Sequence, residues 1–103
     1  MISARVTVAA VAVLACWLAG CATAPPIQEM SDARQAIAAA EQARAEELAP
    51  QTLGEARRYL VQAEERIREG NYTIARSDAI RAKTRAIYAL QASQAALEGD
   101  GSL

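Results

Sequence analysis

Apolar positions along this chain fall into two patterns. Val6 to Leu18 forms a nearly unbroken apolar run of 13 residues. From Met30 onward the apolar residues instead recur every third or fourth position. Leu53, Ala56, Leu60, Ala63 and Ile67 step by 3, 4, 3 and 4. Tyr72, Ala75, Ala79, Ala82, Ala86, Ala89 and Ser93 keep the same rhythm, flanked by Ile80, Ile87, Leu90 and Leu97. An earlier stripe of Met30, Ala33, Ile37, Ala40 and Leu48 is interrupted by Arg44. This spacing lines up one face of an α-helix and packs helix on helix. No stretch alternates as a half-buried strand does.

Punctuation divides the stripes into three helices. The first is predicted from about Ser31 to Ala49, with Ser31 as N-cap and Asp32 in the first turn. Pro50 disfavours helical geometry in the residue before it and closes that helix. Thr52-Leu53-Gly54-Glu55 has the form of a capping box and opens a second helix running to Glu69. Gly70 suits the left-handed position after a helix, and Asn71 can cap the next one. The third helix is predicted over 72–98, about 40 Å long at 1.5 Å per residue. Connections of two or three residues make neighbouring helices antiparallel. The expectation is an all-α domain over 30–98, an antiparallel helical hairpin or three-helix bundle, with 99–103 as a disordered tail. Leu53, Leu60, Ile67, Ile80, Ile87 and Leu90 are expected to point inward. The third helix should outrun the second by about two turns, leaving Leu90, Ser93 and Leu97 without cover.

Composition sharpens this picture. Alanine fills 20 of the 83 positions from Cys21 onward, and there is no phenylalanine. An alanine seam lets helices approach closely but buries little area, at about 25 cal/mol per Å² of apolar surface. A domain this small normally needs a staple, a partner or strong intrinsic helicity. Abundant Ala, Glu, Gln, Arg and Leu supply the last of these.

The run Val6–Leu18 follows Arg5 and ends at Leu18-Ala19-Gly20-Cys21. A positive start, an apolar stretch and small residues before a cut describe a secretory signal. A spanning helix needs about 20 apolar residues, more than this run offers. Leu-Ala-Gly-Cys resembles the lipobox of bacterial lipoproteins. That resemblance implies a diacylglyceryl group on the Cys21 thiol, cleavage between Gly20 and Cys21, and acylation of the new amino terminus. Residues 1–20 then leave as signal peptide, and 21–29, with Pro25-Pro26, reads as an extended tether. In similar enteric lipoproteins an aspartate after the cysteine marks inner-membrane retention. Ala22 stands there here, which implies the periplasmic face of the outer membrane. The membrane is thereby an expected partner, held through the covalent lipid on Cys21. With Cys16 removed and Cys21 lipidated, no disulfide is expected, although the compartment would permit one. Ten basic residues then face 12 acidic ones, a balance that argues against nucleic-acid binding.

A second resemblance covers most of the domain. Pro50-Gln51-Thr52-Leu53-Gly54-Glu55-Ala56, Leu60-x-x-Ala63-Glu64, Glu69-Gly70-Asn71-Tyr72-x-x-Ala75, Ala79 and Ala82 together look like DUF4398, a domain of unknown function. Its members are small alanine-rich bacterial envelope proteins, and the similarity runs from about Met30 to Ser93. The resemblance implies no activity. Some members add a peptidoglycan-binding domain resembling the C-terminal half of outer membrane protein A. None follows here up to Leu103, so direct peptidoglycan binding is not implied. Gly70-Asn71-Tyr72-Thr73-Ile74-Ala75 is also similar to the inter-helix turn of a tetratricopeptide repeat. Such arrays need at least three repeats, so a single helical hairpin is the better reading.

Candidate chemistry is sparse. No histidine and no free mature cysteine remain to act as base or thiol nucleophile. Ser77-Asp78 lacks a base, and Lys83 is the single lysine. Glu46-Glu47 and Glu64-Glu65 are neighbours in sequence, but adjacent helical positions diverge and form no dyad. No metal-ligand or phosphate-loop spacing occurs, so neither enzyme activity nor a metal or cofactor is expected. One polar set invites a binding role. Arg81, Arg85 and Tyr88 share the face opposite the alanine seam, and like charges at i, i+4 do not help an isolated helix. Arginine and tyrosine are enriched at binding hot spots. With Leu97 as an apolar end, these are the candidate partner-binding residues, for a protein partner or for self-association. The predicted function is a non-catalytic, lipid-anchored interaction or adaptor module of an envelope assembly. The alternative is a structural spacer between outer membrane and cell wall without covalent wall linkage. It would resemble the major small lipoprotein of enteric bacteria but lack its C-terminal lysine.

Overall fold

The computed structural model of the chain describes residues 24–101. The signal residues 1–20, the cleavage position Gly20–Cys21 and the lipidation site lie outside the described residues. The described chain is all-α: helix α1 spans Ile27–Gln42, α2 Ala45–Leu48, α3 Pro50–Arg68 and α4 Tyr72–Gly101.

The first helix starts earlier than Ser31. Pro25 and Pro26 resist helix themselves, but the Met30 N–H donates to Pro26 O at 3.0 Å and Ile27–Glu29 complete the first turn. The extended tether therefore ends at Pro26, whose ring is fully buried. Glu29 in that first turn suits the helix dipole. Ser31 is left inside the helix, where its Oγ accepts from Gln35 Nε2 at 3.3 Å.

The expected single helix 31–49 is broken at Ala43-Arg44. Arg44 adopts a left-handed conformation, φ 65°, the one non-glycine residue among those described to do so. After the four-residue α2, Ala49 leaves helical geometry at φ −145° and ψ 54°, consistent with the bias against the α region before a proline. Pro50 then opens α3 at its first position. Proline is at home there because its missing N–H has no partner to lose. The capping box of Thr52 and Glu55 does not form. Pro50 starts the helix two residues sooner, and no side chain caps it.

The turn between α3 and α4 follows the sequence. Gly70 has φ 76°, its N–H donates to Ile67 O at 3.0 Å, and that of Asn71 to Arg66 O at 2.8 Å. These two bonds make a Schellman motif, which glycine enters without a Cβ penalty. Asn71 Oδ1 accepts from the Ile74 N–H at 3.4 Å and caps α4. That helix runs through Gly99 to Gly101, so the first three residues of the expected disordered tail are helical. Each added residue extends the hydrogen-bond ladder by one bond, which offsets the cost of about 1 kcal/mol per glycine.

α4 is the spine, with α1 and α3 both packed along it and touching one another less. α3 runs antiparallel to the other two. Ala75, Ala79, Ala82, Ala86, Ala89 and Ser93 are all fully buried, the predicted stripe without exception after Tyr72. One core cluster joins Ile37 and Ala40 of α1, Ala45, Ala49, Leu53 and Ala56 to Ala86 and Ala89, with Leu60 and Leu90 packed against it. The other joins Met30, Ala63 and Ala79, with Leu60 and Ile67.

Two expectations about the core are corrected. Ile80 is 49% exposed rather than inward. Small seam residues let α1 and α3 close onto a narrow strip of α4, and Ile80 lies about 100° round the helix from Ala79, outside that strip. Ile87 is half-buried for the same reason. Ser93 and Leu90 are not left uncovered either. Ser93 is fully buried, and Leu90 packs against the cluster that includes Ala45 and Ala49, on the far side of the break at Ala43–Arg44.

Candidate functional site

The face of α4 opposite the seam carries the polar set. Ile80, Thr84 and Tyr88 form one i, i+4, i+8 row, and Arg81 and Arg85 form the row beside it. Tyr59 from α3 completes the lining of a shallow depression of about 270 Å³. Ile80 and Tyr88 are about half exposed. The Thr84 hydroxyl donates to Ile80 O at 2.9 Å and is satisfied within its own helix.

The two arginines are ordered from the side. Arg85 Nε lies 3.3 Å from Glu55 Oε2. Arg81 lies 3.7 Å from the largely buried Asp78 carboxylate, and its guanidinium carbon is 5.9 Å from the Tyr59 ring centroid. Arg58 approaches the same ring at 5.7 Å, both within cation–π range. Glu55 and Tyr59 are four residues apart on α3, as Arg81 and Arg85 are on α4. Because the helices are antiparallel, the pairs match as two rungs, Glu55 with Arg85 and Tyr59 with Arg81. The repulsive i, i+4 arginine pair thus has a tertiary explanation. Its spacing meets a complementary spacing across the helix interface and fixes their register.

The structure therefore brings Arg81, Arg85 and Tyr88 together and adds Tyr59. Tyr59 lies off the inward stripe of its helix, so the apolar period alone does not mark it. The signal was Glu55 and Tyr59 at the spacing that answers the two arginines. Leu97 is not part of this set. Nine residues beyond Tyr88, it lies about half a turn round the helix and about 13 Å further along. It is half-buried there.

Elsewhere, ion pairs tie the helices together. Glu29–Arg76 at 3.0 Å and Asp32–Lys83 at 3.8 Å join α1 to α4. Arg34–Glu64 at 3.6 Å joins α1 to α3. Arg57 binds both Glu46 at 2.6 Å and Glu41 at 3.3 Å, clamping α3 to both sides of the Arg44 break. The hydrogen bond that Arg57 donates to the Glu46 carboxylate is the main cause that raises the Arg57 pKa. No group of three metal-ligating side chains occurs among the described residues. No described helix is long and apolar enough to cross a membrane.

The family model described as a domain of unknown function (DUF4398) matches residues 28–100. No curated protein and no solved structure matches the chain.

Proposed function

The chain belongs to the DUF4398 family, and we propose that it is an outer-membrane lipoprotein, anchored through Cys21 on the periplasmic side, that acts by binding rather than by catalysis. The observation that carries the binding role is the outer face of α4. There Ile80 and Tyr88 stand half exposed beside two guanidinium groups already held by α3. Side chains ordered before contact lose less entropy on association. Tyrosine and arginine offer a partner both apolar area and directed hydrogen bonds. Support for the anchor comes from Leu18-Ala19-Gly20-Cys21 and the apolar run before it. The face suits a helical partner within an envelope assembly.

A photo-crosslinking side chain placed at Tyr88 in cells tests this, with one at the exposed Gln35 of α1 as control. The expected result is a discrete adduct from position 88 alone, lost when Arg81→Glu and Arg85→Glu are introduced and helicity is retained. Equal adducts from both positions, or none from either, would overturn the binding role. The lipid-anchored spacer would then be the better account.

A further inference from the structure

One pole of the bundle has a surface character of its own. The start of α1 and the α3–α4 turn lie at the same end, because Met30 packs with Ala63 and Ala79 and Glu29 pairs with Arg76. At that end Ile27 is 74% exposed and Ile74 43% exposed, both large apolar side chains left to water. Tyr72 is half-buried beside them in sequence. Arg68, at the last position of α3, is exposed and has no ion-pair partner among the described residues. The opposite end of α4 carries Glu98, exposed and without an ion-pair partner among the described residues. The two poles therefore differ in apolar exposure, although the carboxylates of Glu65 and Glu69 are exposed close to Arg68 at the first pole.

The chain enters the bundle at the first pole. Pro26 is buried, so the path from Cys21 ends at a fixed point. Ile27 is six residue steps from Cys21, a reach of at most about 20 Å. A lipid on Cys21 requires this pole to stay within that distance of the bilayer surface and sets no such limit on the far end of α4. We propose that the pole formed by Ile27, Ile74 and Arg68 rests on the phospholipid surface, the isoleucines in the headgroup region and the guanidinium on lipid phosphate. α4 then stands away from the membrane with its Leu97 end outermost. This rests on the lipid anchor proposed above.

Two exposed isoleucines and one arginine bind a membrane only weakly when free. Tethering changes that balance. A short linker keeps the local concentration of surface in the millimolar range, so a contact too weak to bind from solution sets the orientation of an anchored domain. Orientation also fixes where the α4 face is presented. Ile80 to Tyr88 would lie about 9 to 21 Å beyond Ile74 along the helix axis, clear of the headgroups.

The test uses the full lipidated protein in vesicles of phosphatidylethanolamine and phosphatidylglycerol with brominated acyl chains. Cys21 is blocked by lipid, so one introduced cysteine, Thr73→Cys or Leu97→Cys, takes an environment-sensitive fluorophore alone. Flotation with the vesicles reports the anchor separately. The expected result is quenching several-fold stronger at position 73 than at 97. Adding Ile27→Glu with Ile74→Glu, or Arg68→Glu, should bring the position 73 value down to that of 97 without loss of flotation. Floating protein quenched equally at both positions refutes the proposal. So does quenching at 73 that ignores the glutamates, since the tether alone would then explain it. Protein that fails to float, and whose Cys21 also takes label, sinks the anchor and this orientation with it.

Discussion

Ser93 offers a sharp test of how closely α4 is packed. Its residue is fully buried, and Oγ has no hydrogen-bond partner. It occupies the sixth place in a stripe otherwise made of alanine. Burying a hydroxyl without a partner costs about 1–3 kcal/mol. Alanine also propagates helix better than serine, by about 0.5 kcal/mol. The atom removed leaves a small gap and loses some dispersion contacts, worth a few tenths of a kcal/mol. Ser93→Ala should therefore stabilise the domain by about 1–2 kcal/mol. For a domain of this size each kcal/mol moves the melting midpoint by about 4–8 °C. Thermal and urea unfolding of the lipid-free chain 22–103, followed by circular dichroism, measures the change. Ser93→Val is the counterpart, because extra methyl groups at this fully buried seam position should cost about 1–3 kcal/mol by overpacking. A loss of stability in Ser93→Ala would refute the reasoning. The hydroxyl would then have a partner, such as the carbonyl four residues back that helical serines can reach. Tolerance of valine would show that the seam is looser than a strip of small residues requires.

Other positions give independent checks. Leu53 is almost wholly buried, and Leu53→Ala should cost about 2–5 kcal/mol, while the half-buried Leu60→Ala costs less in the same urea titration. Arg44→Gly should stabilise by about 0.5–1 kcal/mol, since glycine takes the left-handed conformation freely; Gly70→Ala should destabilise by a similar amount at φ 76°. Glu55→Arg and Arg85→Glu should each weaken the fold by at most about 1 kcal/mol. The double charge swap should recover part of that loss, read as a coupling energy in a double-mutant cycle. Cys21→Ser should leave a precursor that retains residues 1–20 and carries no acyl chains, checked by intact mass.

Local rules carried much of this structure. The 3–4 stripe of α4 needs only the helical period, and every position from Ala75 to Ser93 in it is buried as the spacing requires. Gly70-Asn71 is a turn because of what its own backbone and side chain allow, and Pro50 breaks the chain through its ring. The family likewise follows from short residue patterns, and its model spans 28–100. The Arg81, Arg85 and Tyr88 face was legible because all three lie on one helix.

What the sequence left open depends on contacts between segments. Ile27–Glu29 join α1 although two prolines precede them, and Glu29 there meets Arg76 across the bundle. Arg44 takes a backbone conformation unfavourable to it, in a break that is clamped by Arg57. Ile80 faces water because the alanine strip is narrow, and that width is set by how near α1 and α3 approach. Tyr59 joins the face because Glu55 and Tyr59 slide into register with Arg85 and Arg81. The helical period places a side chain around its own axis. Only packing fixes the distance, direction and axial register of the neighbouring helix, and those decide which flanking residues are covered and which are left to bind.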